Sequence, residues 1–272
     1  MTEAAQPTQA APAVVTSVDS TRIAFERLGS GPPLILIGGA LNDRRTGLPL
    51  ANLLKSDFTV YIFDRRGRGD SSNNLPYGVE REIEDLAALI KEAGGTASVY
   101  GHSSGAFLGL LAAAAGLPIV RLATYEPPYA IDEAGDEHNT KMMARIEHLI
   151  GEGKPEEALI FFMSTTGMPQ AMIDQQRQAS HWPFLVAKAP TLAYELRLKT
   201  ARGNAYVPSK ELAEVKVPVQ AMAGEASPDW MRAAARIVAE SVKSGKYLEL
   251  SGQNHMVAPE VVAPVLLSFL QQ

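Results

Sequence analysis

The feature that most limits the fold of this chain is a series of short, continuous apolar runs alternating with helical patterns. Leu34-Ile35-Leu36-Ile37 runs unbroken into Gly38-Gly39, and similar, mainly apolar runs recur at residues 59–63, 97–100, 119–124, 217–223 and 247–250. A strand with one wet face alternates apolar and polar residues, so an unbroken apolar run implies a strand covered on both faces, as in a parallel sheet. Between the runs, residues 80–93 carry Ile83, Leu86, Ala87 and Ile90 at helical spacing and stop at Gly94-Gly95. Residues 106–115 are apolar all round, which predicts a helix buried against the sheet, and residues 230–242 and 259–270 are further helices. Residues 14–19 and 22–28, parted by Ser20-Thr21, suggest an opening hairpin. The expected class is α/β, with a mostly parallel central sheet and helices on both faces.

One stretch breaks the alternation. Residues 131–207 show four or five helical segments and no strand, with Pro169, Pro183 and Pro190 as breaks. They read as an inserted helical cap between two parts of one core, residues 14–130 and 208–272, behind a disordered tail over residues 1–13. Five of the nine methionines fall in the cap, among them Met142, Met143, Met163, Met168 and Met172. Methionine suits a deformable apolar binding surface, and equally the plain packing of cap on core.

Composition removes several classes. With no cysteine, disulfides, thiol nucleophiles and Cys-ligated metals are excluded. A net charge of −5 with scattered basic residues argues against nucleic acid as a partner. No apolar run approaches the roughly 20 residues that cross a bilayer, and the start lacks a signal-peptide pattern. A cytoplasmic protein acting on a small molecule is expected, with no membrane partner, no metal and no cofactor.

The most informative residues are Gly101-His102-Ser103-Ser104-Gly105, a G-x-S-x-G match between an apolar run and the buried helix. In that context the serine sits on a sharp strand-to-helix turn, where flanking glycines leave room and the helix N-terminus favours negative charge. Ser103 is the candidate nucleophile. A hydroxyl needs a base, and of five histidines His102 lies inside the turn while His138, His148 and His181 fall in the cap. His255, just after the last strand run, is placed at the carboxyl edge of the sheet with Ser103.

These residues, together with Asp64-Arg65-Arg66-Gly67-Arg68-Gly69-Asp70-Ser71, resemble the α/β-hydrolase superfamily over residues 14–272, the last matching its D-x-R-G-x-G-x-S turn. In the family that turn is chiefly structural. The resemblance implies oxyanion donors at the amides of Ala40 and Ser104, with Leu41 as the fallback because Gly38 stands where the family often has histidine. It also places the triad acid beyond the seventh strand, where this chain has Ser227. A second family position follows the sixth strand, as in haloalkane dehalogenases, and there the run ends in Glu126-Pro127-Pro128. Glu126 is the preferred acid, ahead of Asp229, Glu225 and Asp132. A serine nucleophile separates the chain from the dehalogenases and epoxide hydrolases, which attack through aspartate. The resemblance therefore implies a carboxylesterase acting on a small to medium apolar ester. A cofactor-free lyase or oxygenase, or a slow-turnover ligand receptor, are the other readings of the same Ser/His pair. Asn42, Asp43, Arg44 and Arg45 read as a solvated loop, and His181-Trp182 as pocket lining or a cap anchor.

Overall fold

The computed structural model describes residues 11–200 and 210–272. The chain opens with strands β1 (Ala13–Thr16), β2 (Arg22–Leu28) and β3 (Pro33–Ile37), then helix α1 (Leu48–Leu54) and β4 (Thr59–Phe63). Helix α2 (Val79–Glu92), β5 (Ala97–His102), α3 (Ser104–Ala114) and β6 (Ile119–Tyr125) follow. Five helices come next: α4 (Glu133–Gly151), α5 (Pro155–Thr165), α6 (Gln170–Arg177), α7 (Trp182–Lys188) and α8 (Leu192–Thr200). The chain ends with β7 (Val219–Gly224), α9 (Asp229–Ser241), β8 (Gly245–Leu250) and α10 (Pro259–Leu270).

The eight strands form one sheet in the order β1-β2-β4-β3-β5-β6-β7-β8. The β1–β2 and β2–β4 pairs are antiparallel and all others parallel. The continuous apolar runs are explained by this: Ile35 and Ile37 join the core on one face with Val99, Phe107 and α2, while Leu34 and Leu36 join the other with α1 and α10. Helix α3 is buried along almost its whole length, as its sequence requires. The tail expectation falls, for residues 1–10, outside the described chain, and Ala13 already belongs to β1.

The insertion between β6 and β7 is helical from residue 133 to 200, and residues 201–209 lie outside the described chain. It has a core of its own, built from Met142, Ile146, Leu159, Met163, Ile173, Trp182 and Leu192, against which Ala40 and Leu41 pack. Met142 and Met163 are therefore packing residues, and Trp182 anchors the insertion, its indole N–H donating to Glu156 at 3.0 Å. The expected solvated loop holds for Arg45, which is exposed, and is corrected at Asp43 and Arg44. Arg44 is buried, bonded to Glu26 at 2.7 Å, Asp64 at 2.5 Å and Asp70 at 2.8 Å, and Asp43 caps a short 3-10 turn while pairing with Lys188 of α7 at 2.7 Å. The distant carboxylates Glu26, Asp64 and Asp70 neutralise a charge that local sequence assigns to water.

Candidate active site

Strands β5, β6 and β7 run parallel, so their carboxyl ends and the turns that follow lie along one edge of the sheet. At the end of β5 the chain turns directly into α3 through Ser103, whose φ of 55° is unusual for a residue with a side chain. The turn is possible only because both flanking glycines lack a Cβ. One at Gly101 would stand 2.4 Å from the Gly105 carbonyl oxygen, and one at Gly105 would stand 2.2 Å from that of Ile37. Ser103 donates its amide to the Tyr125 carbonyl at 2.8 Å, tying the turn to β6. Glu126, the first residue after β6, also has a left-handed backbone, with φ 47°. Non-glycine residues in this region store strain of about 1–3 kcal/mol each, which only surrounding structure can hold.

The strain places three side chains in a line. His255 Nε2 lies 3.2 Å from Ser103 Oγ, and His255 Nδ1 lies 2.6 Å from Glu126 Oε2. Glu126 Oε1 accepts from the Gly224 amide at 2.8 Å. Burial alone would raise the Glu126 carboxyl, but the hydrogen bonds from His255 and Gly224 outweigh it and hold the group below its ordinary value. An ionised carboxylate only accepts, so Nδ1 carries the imidazole proton and Nε2 is free to accept from Ser103. The Ser227 hydroxyl is buried beside the same carboxylate without completing a well-aligned bond to it.

The loop carrying His255 is pinned at three successive carbonyls. Gln253 accepts from the Ala226 amide at 2.8 Å, Asn254 from the Tyr125 hydroxyl at 2.6 Å, and His255 from His102 Nε2 at 2.8 Å. His102 thus has a structural partner of its own. Burial, with His255 alongside, pushes its imidazole down to about 4, so folding excludes a proton that the unfolded chain binds near pH 6.5. Stability contributed by the neutral form is therefore present above pH 6.5 and is lost as pH falls toward 4, by about 3 kcal/mol at most. Denaturant titrations between pH 4 and 7 should show this slope in the wild type and a shallower one in His102→Gln.

The other carboxylates weighed from sequence face elsewhere. Glu225 accepts from Ser251 Oγ at 2.7 Å and the Gly252 amide at 2.9 Å, Asp229 pairs with Arg232, and Asp132 caps α4 through the Gly135 amide at 2.8 Å. His148 pairs with Glu152 at 3.4 Å and His181 meets Gln176 at 2.8 Å, both within the insertion. Gly39 packs against the Ser103 turn, since a Cβ there would stand 3.0 Å from that of Ser103. The next residues make a tight turn closed by the Asn42 amide on the Gly39 carbonyl at 3.3 Å, with Leu41 at φ 60°. A cavity of about 270 Å³ borders Gly38, His102 and Met256, but Ser103 and His255 do not line it. Among the described residues, no group of three or more His, Asp or Glu side chains is placed to hold a metal ion, and no helix is long and apolar enough to cross a membrane.

A mostly parallel sheet with a serine on a strained strand-to-helix turn defines a hydrolase scaffold. The model of the alpha/beta hydrolase family matches residues 34–265, and the chain belongs to that family. A solved alpha/beta hydrolase from Sphaerobacter thermophilus is 46% identical with a TM-score of 0.86, over 95% of this chain and all of that one. A thermophilic esterase from Thermogutta terrifontis shares the fold at 20% identity and TM-score 0.71, over 96% of this chain and 98% of its own. The N-formylmaleamate deformylase of Pseudomonas putida is 36% identical over 104 residues, which is 37% of this chain and only 39% of that protein.

Proposed function

We propose that the protein is a serine hydrolase that cleaves small carboxylic esters through an acyl-enzyme on Ser103. The observation that carries this reading is the hydrogen-bonded line from Glu126 through His255 to Ser103, with both His255 contacts within 3.2 Å. His255 Nε2 takes the Ser103 proton as Oγ bonds to the ester carbonyl carbon, and returns it to the alkoxy group as the C–O bond breaks. Water then attacks the acyl-enzyme, giving its proton to His255, and the carboxylic acid leaves as Ser103 recovers its hydrogen. Glu126 keeps the imidazole in the correct tautomer and offsets the imidazolium charge. The amides of Ala40 and Ser104 are the proposed donors to the oxyanion, in keeping with the contact between Gly39 and the Ser103 turn.

The helical insertion acts in this reading as a cap. Its residues Lys188 and Glu195 bond to Asp43 and to Arg65 on the core, closing it over the Gly39–Asn42 turn. The partial likeness to a deformylase makes an N-formyl amide the second substrate to try with the same nucleophile. Stopped-flow hydrolysis of p-nitrophenyl butyrate should show a burst of p-nitrophenol near one per active site when deacylation limits, with turnover of about 1 s⁻¹ or more. Diethyl p-nitrophenyl phosphate should leave one phosphoryl group, found by mass spectrometry on the peptide containing Ser103. No turnover and no label would remove the reading.

A further inference from the structure

Four charged side chains are buried behind the Gly38-Gly39 segment: Arg65, Arg68, Glu82 and Glu195. Arg65 donates Nε and Nη2 to the two oxygens of Glu82, each at 2.7 Å, and Nη1 to Glu195 at 3.1 Å. Arg68 donates Nη2 to Glu195. The charges cancel in number, which permits the burial, but a buried ion network is a poor stabilising device, since apolar residues of the same volume serve as well or better. Its placement calls for another account. In the D-x-R-G-x-G-x-S turn, Asp64, Arg66, Gly67, Gly69 and Ser71 fill the defined positions, whereas Arg65 and Arg68 fill open ones. Arg66 points away to Asp85 and Asp19, consistent with a structural role.

One guanidinium nitrogen of each arginine also reaches the segment that faces Ser103, while Arg68 Nε is buried without a partner. Arg68 Nη1 donates to the Gly39 carbonyl at 2.8 Å. That carbonyl and the Ala40 N–H belong to one peptide unit, which is planar and trans, so holding the oxygen at one end aims the N–H at the other. A charged donor on the oxygen also polarises the unit and makes its N–H a stronger donor. Arg65 Nη1 reaches the Gly38 carbonyl at 3.4 Å and the hydroxyl of Ser104 at 3.1 Å, the residue that supplies the second amide. Glu195, from α8 of the insertion, bridges the two guanidinium groups from above.

We propose that Arg65 and Arg68, bridged by Glu195, are positioning residues for the oxyanion site: Arg68 orients and polarises the Gly39–Ala40 peptide, and Arg65 braces Gly38 and Ser104. The inference rests on the acyl-enzyme reading and makes the site depend on the helical insertion, through one carboxylate. Both arginines are buried, each 2% exposed, so the expected effect of removing one falls on transition-state binding rather than on ester binding.

The test compares wild type, Arg68→Met and Arg68→Lys on p-nitrophenyl butyrate, with inhibition by a phenylboronic acid that bonds to Ser103 and places an oxygen where the oxyanion forms. Methionine keeps much of the buried volume and loses the donor. Expected is a fall in kcat of about 10- to 100-fold with KM within about threefold, short of the 10²–10³ that follows loss of an oxyanion donor. Boronate affinity should fall in parallel, and the infrared carbonyl band of the acyl-enzyme should move to higher wavenumber, which a loss of folded protein would not cause. If Arg68→Met does not fold, Arg68→Lys carries the comparison, with kcat and boronate affinity both reduced at unchanged KM. Wild-type kcat and boronate affinity in the variant that folds would overturn the inference while the acyl-enzyme reading stands. A wild-type protein that neither turns over nor takes the phosphoryl label on Ser103 would overturn both.

Discussion

Replacing Ser103 by alanine is expected to lower kcat on p-nitrophenyl butyrate by about 10⁵- to 10⁶-fold and to abolish phosphoryl labelling. The magnitude follows from the proposed cooperation of the three groups: in the acyl-enzyme reading, loss of Ser103 leaves the imidazole and carboxylate no reaction to assist, and only binding and the proposed oxyanion donors remain. The fold should not change. The φ of 55° at Ser103 is imposed by the turn between β5 and α3 and by the Ser103 amide on Tyr125, neither of which uses the hydroxyl. Alanine carries the same Cβ and the same strain, so thermal unfolding should coincide with wild type and any loss of rate belongs to chemistry. Glycine at the same position removes the Cβ and the strain, and should abolish labelling equally. Undiminished activity of Ser103→Ala on some other substrate would instead favour the lyase or oxygenase reading, in which the hydroxyl forms no covalent bond.

The core and the line of three side chains were legible because each is written locally. A continuous apolar run marks a covered strand, and the residue following it must stand at the sheet edge. Ser103 and Glu126 directly follow β5 and β6, and His255 lies in the loop after β8. Glu126 itself is preferred only through the family resemblance, which leaves Ser227 at the usual acid position, and the structure sets Ser227 beside that carboxylate.

What could not be read from local pattern was the fate of charge. Arg44 looked like part of a solvated run because its partners Asp64 and Asp70 are remote in sequence, and α1 follows it without a strong amphipathic signal. Arg65 and Arg68 likewise seemed incidental to a structural turn, since Glu195, which bridges them, arrives from α8 in the insertion. Periodicity reports how apolar residues are arranged along an element and carries no information on which distant ion will neutralise a buried one. For the same reason Met142 and Met163 could be placed in the insertion but not assigned to its interior.

Glu126→Gln is expected to lower kcat by about 10⁴-fold with little change in KM or unfolding temperature. The size of the effect follows from which atoms the new amide would present. Gly224 donates its N–H to Oε1, so the glutamine must keep its carbonyl oxygen there. Its NH₂ group then faces His255 Nδ1 and can only donate. The imidazole must accept at Nδ1 and carry its proton on Nε2, the nitrogen facing Ser103 Oγ, where it can no longer take the hydroxyl proton. A tautomer fault of this kind differs from loss of structure in being reversible by charge. Because Ser227 is buried beside Glu126, Ser227→Asp in the Glu126→Gln background returns a carboxylate to the same buried site and should recover kcat at least tenfold. Near-normal kcat in Glu126→Gln alone would sink the assignment. It would return the acid to Glu225 or Asp229, and require the loop after β7 to turn one of them away from Ser251 or Arg232 and onto His255.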